Sequence, residues 1–102
     1  MKSEKRKSER VELKEPGTVS WQTQDGAMLG ERILLLNLAD KGMLIEMSHK
    51  LELRQTVQVK IESRKIDGSA SVRYCIQKGM KYRVGLEMFY QIEAKPKVQR
   101  WT

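Results

Sequence analysis

Alternation of apolar and polar residues with a period of two, broken every few residues by turn chemistry, constrains this chain more than any other feature. Val57, Val59 and Ile61 alternate with Gln58, Lys60 and Glu62. Ala70, Val72, Tyr74 and Ile76 alternate with Ser71, Arg73 and Cys75; Tyr82, Val84, Leu86 and Met88 alternate with Arg83, Gly85 and Glu87. Successive side chains of a strand point to opposite faces, so these runs predict half-buried strands with the first set of each facing a core. Thr18–Trp21, Ile33–Leu38 and Met43–Met47 predict three more. Between them, Pro16-Gly17, Gln24-Asp25-Gly26, Ile66-Asp67-Gly68-Ser69 and Lys78-Gly79 carry turn residues, the third reading as a tight hairpin. Six strands joined by short turns predict an all-β fold, a six-stranded antiparallel β-barrel or closed sheet that leaves no exposed edge. The tail from Tyr90 to Thr102 admits a short helix ahead of Pro96.

At 102 residues the chain is one domain's worth of polymer. The reading divides it into a flexible basic arm over residues 1–10, a barrel over 11–92 and a basic tail over 93–102. The net charge of +7 invites a nucleic-acid reading, but the charge sits at the ends. Residues 1–10 hold five basic and two acidic side chains, and residues 94–102 hold Lys95, Lys97 and Arg100. Residues 11–93 hold twelve basic against eleven acidic. Tracking a long phosphate backbone needs a wide basic face, whereas basic termini suit a small anion. Cys75 is the one cysteine, so no intrachain disulfide forms, and with a single histidine, His49, no Cys/His metal cluster is available. His49 reads as a solvated loop residue and Trp21 as a core or barrel-rim residue. The N-terminus lacks the apolar stretch of a secretory signal, and the longest apolar run, Ile33–Leu36, is too short to span a bilayer. A soluble cytoplasmic protein is the default, with no membrane insertion. No nucleophile stands beside a base, and no paired carboxylates or Gly-rich phosphate loop occur, so the reading is of a protein that is not an enzyme.

Three motifs remain. Arg6-Lys7-Ser8-Glu9-Arg10 places two arginines four residues apart just ahead of the first strand. Asn37-Leu38-Ala39-Asp40-Lys41-Gly42 fills the turn between two apolar strands. Tyr82-Arg83-Val84-Gly85-Leu86-Glu87-Met88 forms the last strand. In this order the set resembles the PilZ domain family, which is marked by R-x-x-x-R, then D/N-x-S-x-x-G about thirty residues on, then a strand reading Y-R-V-G-apolar-E-F. The resemblance covers residues 5–89. It implies a six-stranded barrel that binds the bacterial second messenger cyclic di-GMP, with the first motif on an N-terminal segment that wraps over ligand held against the barrel wall. Carried over, Arg6 and Arg10 clamp phosphates and guanine edges, while Asn37, Ala39 and Gly42 hold the other side of a guanine. Arg73 is a further candidate contact.

Residue chemistry agrees with that assignment. Cyclic di-GMP is a dianion with two guanines, and a guanidinium meets guanine O6 and N7 bidentately, pairs with phosphate and stacks on purines. Residues four apart in an extended segment point to the same side, so both arginines can close on one ligand. Asn37 offers an amide to a base edge, and Gly42 permits a positive φ and a close ligand approach. Ala39 departs from the family's serine; losing one neutral hydrogen bond costs about 0.5–1.5 kcal/mol. The ligand is cyclic di-GMP, no cofactor is called for, and the implied partner is an unidentified downstream protein. Ala39 favours the alternative, a PilZ-like adaptor that has lost the nucleotide and works by protein contacts. A small barrel binding single-stranded nucleic acid is disfavoured by the near-neutral body and few aromatics.

Overall fold

The computed structural model describes residues 13–91, and the alternating runs become six strands in chain order. These are β1 (Glu15–Gln22), β2 (Met28–Leu38), β3 (Gly42–Met47), β4 (Thr56–Ile61), β5 (Ile66–Lys78) and β6 (Lys81–Gln91), with one turn of 3-10 helix, Glu62–Arg64, joining β4 to β5. All neighbours are antiparallel, and the sheet closes as a barrel in the order β1-β2-β3-β6-β5-β4. The expected short C-terminal helix lies outside the described residues.

The inward positions fill one core. Val19, Leu35, Ile45, Val57, Val59, Ile61, Ala70, Val72 and Val84 are essentially inaccessible to solvent, with contributions from all six strands. Each such aliphatic side chain stabilises the fold by roughly 1.5–3 kcal/mol, alanine less. The ends of the barrel are distinct. At one end lie the start of β1, the β2–β3 turn and the 3-10 turn. There Glu15 takes bonds from both the guanidinium of Arg64 (2.8 and 2.9 Å) and the Ser63 hydroxyl (2.8 Å), fastening β1 to the 3-10 turn. At the other end the β3–β4 connection crosses the mouth and plugs it with buried Leu51. Its first residues are held by Glu31, which accepts the Ser48 N–H and faces His49 Nδ1 at 2.5 Å. His49, expected to be simply solvated, is exposed but fixed, since its ring also meets buried Trp21 edge-on at 5.5 Å.

Three sequence expectations are corrected. Pro16-Gly17 is not a turn: both residues pair with β2, opposite Leu34 and Ile33. Ile66–Ser69 is not a hairpin turn either, but the start of β5, with Gly68 buried opposite Val59. The actual reversal uses the 3-10 turn and Lys65 in the left-handed region (φ 57°), whose N–H bonds Glu62 O at 3.1 Å. Third, the alternation in β5 does not run through. Val72 pairs with Leu86 and Tyr74 with Gly85, leaving Arg73 as an extra residue. This bulge shifts the phase by one. Tyr74 and Ile76, expected inside, are exposed, and Cys75 packs against the core.

Candidate ligand-binding site

The register of four strands builds a row across the outer wall. Asn37 of β2 lies opposite Leu44 of β3, Leu44 opposite Gly85 of β6, and Gly85 opposite Tyr74 of β5. Antiparallel partners share a face, and at about 4.8 Å between strands the row spans roughly 14 Å. Two bulges set its ends. Leu36 is the extra residue between the Leu35–Ile45 and Asn37–Leu44 pairs, and Arg73 is the extra residue beside Tyr74.

An open cavity of about 320 Å³ lies over this row, lined by Asn37, Ala39, Gly42, Leu44, Arg73 and Tyr74, with the backbone side of Gly85 beneath. Four sequence-predicted residues, Asn37, Ala39, Gly42 and Arg73, therefore meet at one cavity. Arg6 and Arg10 lie outside the described residues. Leu13, the first described residue, is anchored next to Asn37, its N–H donating to Leu36 O at 2.9 Å.

Each wall has a local cause. Asp40 and Lys41 form the tip of the β2–β3 turn, closed by the Ala39 N–H to Gly42 O bond (2.9 Å) and tied to β6 by the Met88 N–H to Lys41 O bond (2.7 Å). Gly42 does not use the positive φ expected of it. Its requirement is space, since a Cβ there would lie 3.1 Å from Leu86 O. At Gly85 the missing side chain lets the Tyr74 ring lie on the backbone: an added Cβ would meet ring carbons at 2.3–2.8 Å. An aromatic covering a cross-strand glycine in this way makes a flat apolar floor. Arg73 is not free in this wall; its guanidinium pairs with the Glu87 carboxylate. One row further along, Arg83 Nε is buried without a hydrogen-bond partner, with Glu46 Oε2 at 3.9 Å.

Leu44, Tyr74 and Gly85 had not been singled out for this site. The Tyr74–Gly85 contact follows from counting back from the Lys78–Lys81 closure of the β5–β6 hairpin, which brings residue 74 opposite residue 85. The outward turn of Tyr74 does not follow, because the Arg73 bulge leaves no mark in the hydrophobic pattern. No group of three or more His, Cys, Asp or Glu side chains among the described residues is arranged to hold a metal ion, and no described helix is long and apolar enough to cross a membrane.

The site combines an apolar, flat floor, an amide, one backbone turn and a guanidinium. That set suits a planar, hydrogen-bonding ligand carrying negative charge. A protein-family model for the PilZ domain matches residues 4–102. No curated protein and no solved structure matches the chain.

Proposed function

Because this chain belongs to the PilZ family, we propose that it is a non-catalytic, cytoplasmic receptor for cyclic di-GMP that relays the signal to a partner protein by ordering its N-terminal segment. The observation that carries this reading is the convergence of Asn37, Ala39, Gly42 and Arg73 on one cavity, with Leu13 anchored at its margin. From Leu13, the seven residues back to Arg6 reach at most roughly 25 Å when extended, and Arg10 is closer still. Both guanidinium groups are thus within reach of a ligand lying on the Leu44–Tyr74 floor.

Within this reading Tyr74 and Leu44 offer a purine an apolar surface. Asn37 offers its amide to the base edge. Arg6 and Arg10 meet the phosphates and guanine O6 and N7. Arg73 adds positive charge at the wall, but a direct bond from it to ligand competes with Glu87. That competition, together with Ala39, supports the second reading, an adaptor without nucleotide binding.

Calorimetric titration with cyclic di-GMP separates the two. The receptor reading expects binding by the wild type and a loss of about 1.5–3 kcal/mol, roughly ten- to a hundredfold, in Arg6→Ala and in Arg10→Ala. A wild type that gives no heat at millimolar ligand, and no amide shifts around Asn37 by NMR, overturns the receptor reading and favours the adaptor.

A further inference from the structure

The barrel closes fully only over part of its height. β4 pairs with β5 as far as Thr56–Ser71, and the connection ahead of β4 adds two bonds to Val72, from Arg54 N–H (2.7 Å) and to Gln55 O (3.0 Å). β5 nevertheless runs on to Lys78. From Arg73 to Lys78 it pairs with β6 on one side, and among the described residues no strand and no backbone hydrogen bond reaches its other side. The hairpin closes with Lys78 opposite Lys81 across the two-residue loop Gly79-Met80. In such a hairpin the closing pair exchanges its backbone bonds, and every second residue does the same. The N–H and C=O groups of Lys78, Ile76 and Tyr74 thus face β6, and those of Gln77 and Cys75 face outward.

Soluble proteins usually blunt such an edge with charges, proline or a bulge. Here the Arg73 bulge and Lys78 guard the two ends only. Between them, Tyr74 (44% exposed) and Ile76 (51%) stand on the outer face, and Met80 at the tip is 89% exposed. Lys78 and Lys81 are like charges placed directly opposite each other, an unfavourable pairing, and no acidic partner bonds either among the described residues. The edge therefore offers unpaired main-chain groups, apolar side chains at alternate positions and uncompensated positive charge.

We infer that the β5 edge from Arg73 to Lys78 docks an extended segment of a partner protein by strand addition, and that the outward face of this segment carries apolar side chains opposite Tyr74 and Ile76 and an acidic side chain opposite Lys78. Main-chain bonds to Cys75 and Gln77 supply affinity; Tyr74, Ile76 and Lys78 share one face, so two alternate apolar side chains meet the first two and a carboxylate at the next alternate position meets Lys78, with Lys81 adding to the positive field. A second copy of the chain fits poorly, because it brings its own uncompensated Lys78 and Lys81 to the same edge. Tyr74 belongs both to the cavity and to this edge, which makes the two surfaces contiguous. The docking itself does not require the nucleotide and is tested without it, so failure of nucleotide binding leaves this test intact.

The probe is a fluorescein-labelled peptide whose alternate residues are glutamate, valine and valine, with threonine between them. Its controls are the counterpart with lysine in place of the glutamate and a version of the first broken by prolines. Anisotropy reads affinity, and amide hydrogen exchange by NMR reads the edge. The glutamate peptide is expected to bind and to slow exchange at Cys75 and Gln77. Gln77→Pro removes an outward N–H at an edge position where proline is sterically admitted, and is expected to weaken binding at least tenfold with the fold kept. The double change Lys78→Glu with Lys81→Glu is expected to reverse the preference to the lysine peptide. Equal affinity for the proline-broken peptide, or binding that leaves Cys75 and Gln77 exchanging as in the free protein, overturns the proposal. So does concentration-dependent protection of these amides without peptide, which assigns the edge to a second copy, or protection by anionic phosphatidylserine vesicles in place of the peptide.

Discussion

Gly17 and Gly85 are both positions where a Cβ does not fit, and they differ in what stands in the way. At Gly17 the obstacles are Lys60 O and Ile61 Cγ1, both at 2.8 Å, so backbone and core would have to move. At Gly85 the obstacle is the ring of Tyr74, an exposed side chain that can swing out. Gly17→Ala is therefore expected to destabilise by about 1–3 kcal/mol, as overpacking does. For a domain of this size that lowers Tm by several degrees at least, at about 4–8 °C per kcal/mol. Gly85→Ala is expected to stay within about 1 kcal/mol of wild type, yet to shift the Tyr74 ring resonances and to weaken cyclic di-GMP binding, since the floor of the cavity is lifted. A Tm loss at Gly85 as large as that at Gly17 would show that the ring is packed more rigidly than its exposure indicates. Ala39→Ser supplies the hydroxyl that the family motif carries and is expected to tighten nucleotide binding about three- to tenfold by calorimetry.

Among the elements, β5 and the turn before it explain what the sequence made legible. Six strands, their antiparallel barrel and the Gln24–Gly26 and Lys78–Gly79 reversals were readable, because alternation and glycine in a left-handed conformation both leave local marks; Gly26 has φ 94° and Gly79 φ 65°. The β4–β5 reversal was misplaced because its left-handed residue is Lys65, whereas the turn-like Asp67-Gly68 pair was recruited into a strand by cross-strand partners on both sides. In the candidate site, Asn37, Ala39 and Gly42 were legible through motif spacing. Tyr74 was not, because a bulge is fixed by the geometry of barrel closure, to which periodicity is blind. The strained turn offers its own check. A left-handed conformation costs a non-glycine residue about 1–2 kcal/mol, and glycine recovers that less its larger unfolded-state entropy. Lys65→Gly is expected to raise stability by up to about 1 kcal/mol, read as an increase in the urea midpoint at unchanged m-value.

For the molecule as a whole, the balance of charge and the placement of its carboxylates fix how stability responds to acid. Among the described residues, three carboxylates titrate below their ordinary values in the folded protein. The Arg64 guanidinium and the Ser63 hydroxyl hold Glu15 down from 4.5, and the Thr23 hydroxyl and nearby backbone N–H groups hold Asp25 down from 3.8. At Glu31, burial pushes the carboxyl up, but the Ser48 N–H and His49 outweigh it and the net direction is again downward. A group whose folded pKa is depressed binds protons more weakly folded than unfolded. Its stabilisation is present above the unfolded value and is lost as pH falls through the folded one. All three act with the same sign, and protonation also unmasks the excess of twenty basic over thirteen acidic side chains, adding self-repulsion. Tm is therefore expected to fall progressively as pH drops from about 5 to about 3, with no gain anywhere in that interval. Glu31 bears on the integrity of the fold most directly, because its carboxylate holds the β3–β4 connection over the mouth of the barrel through Ser48 and His49. Glu31→Gln is expected to lower Tm at neutral pH and to flatten the acid limb, since the amide keeps an acceptor but has no proton to take up. Differential scanning calorimetry of the two proteins across this range checks both statements. An acid limb of unchanged slope in the variant would move the linkage away from the mouth, to Glu15 at the opposite end or to Asp25 in the β1–β2 turn.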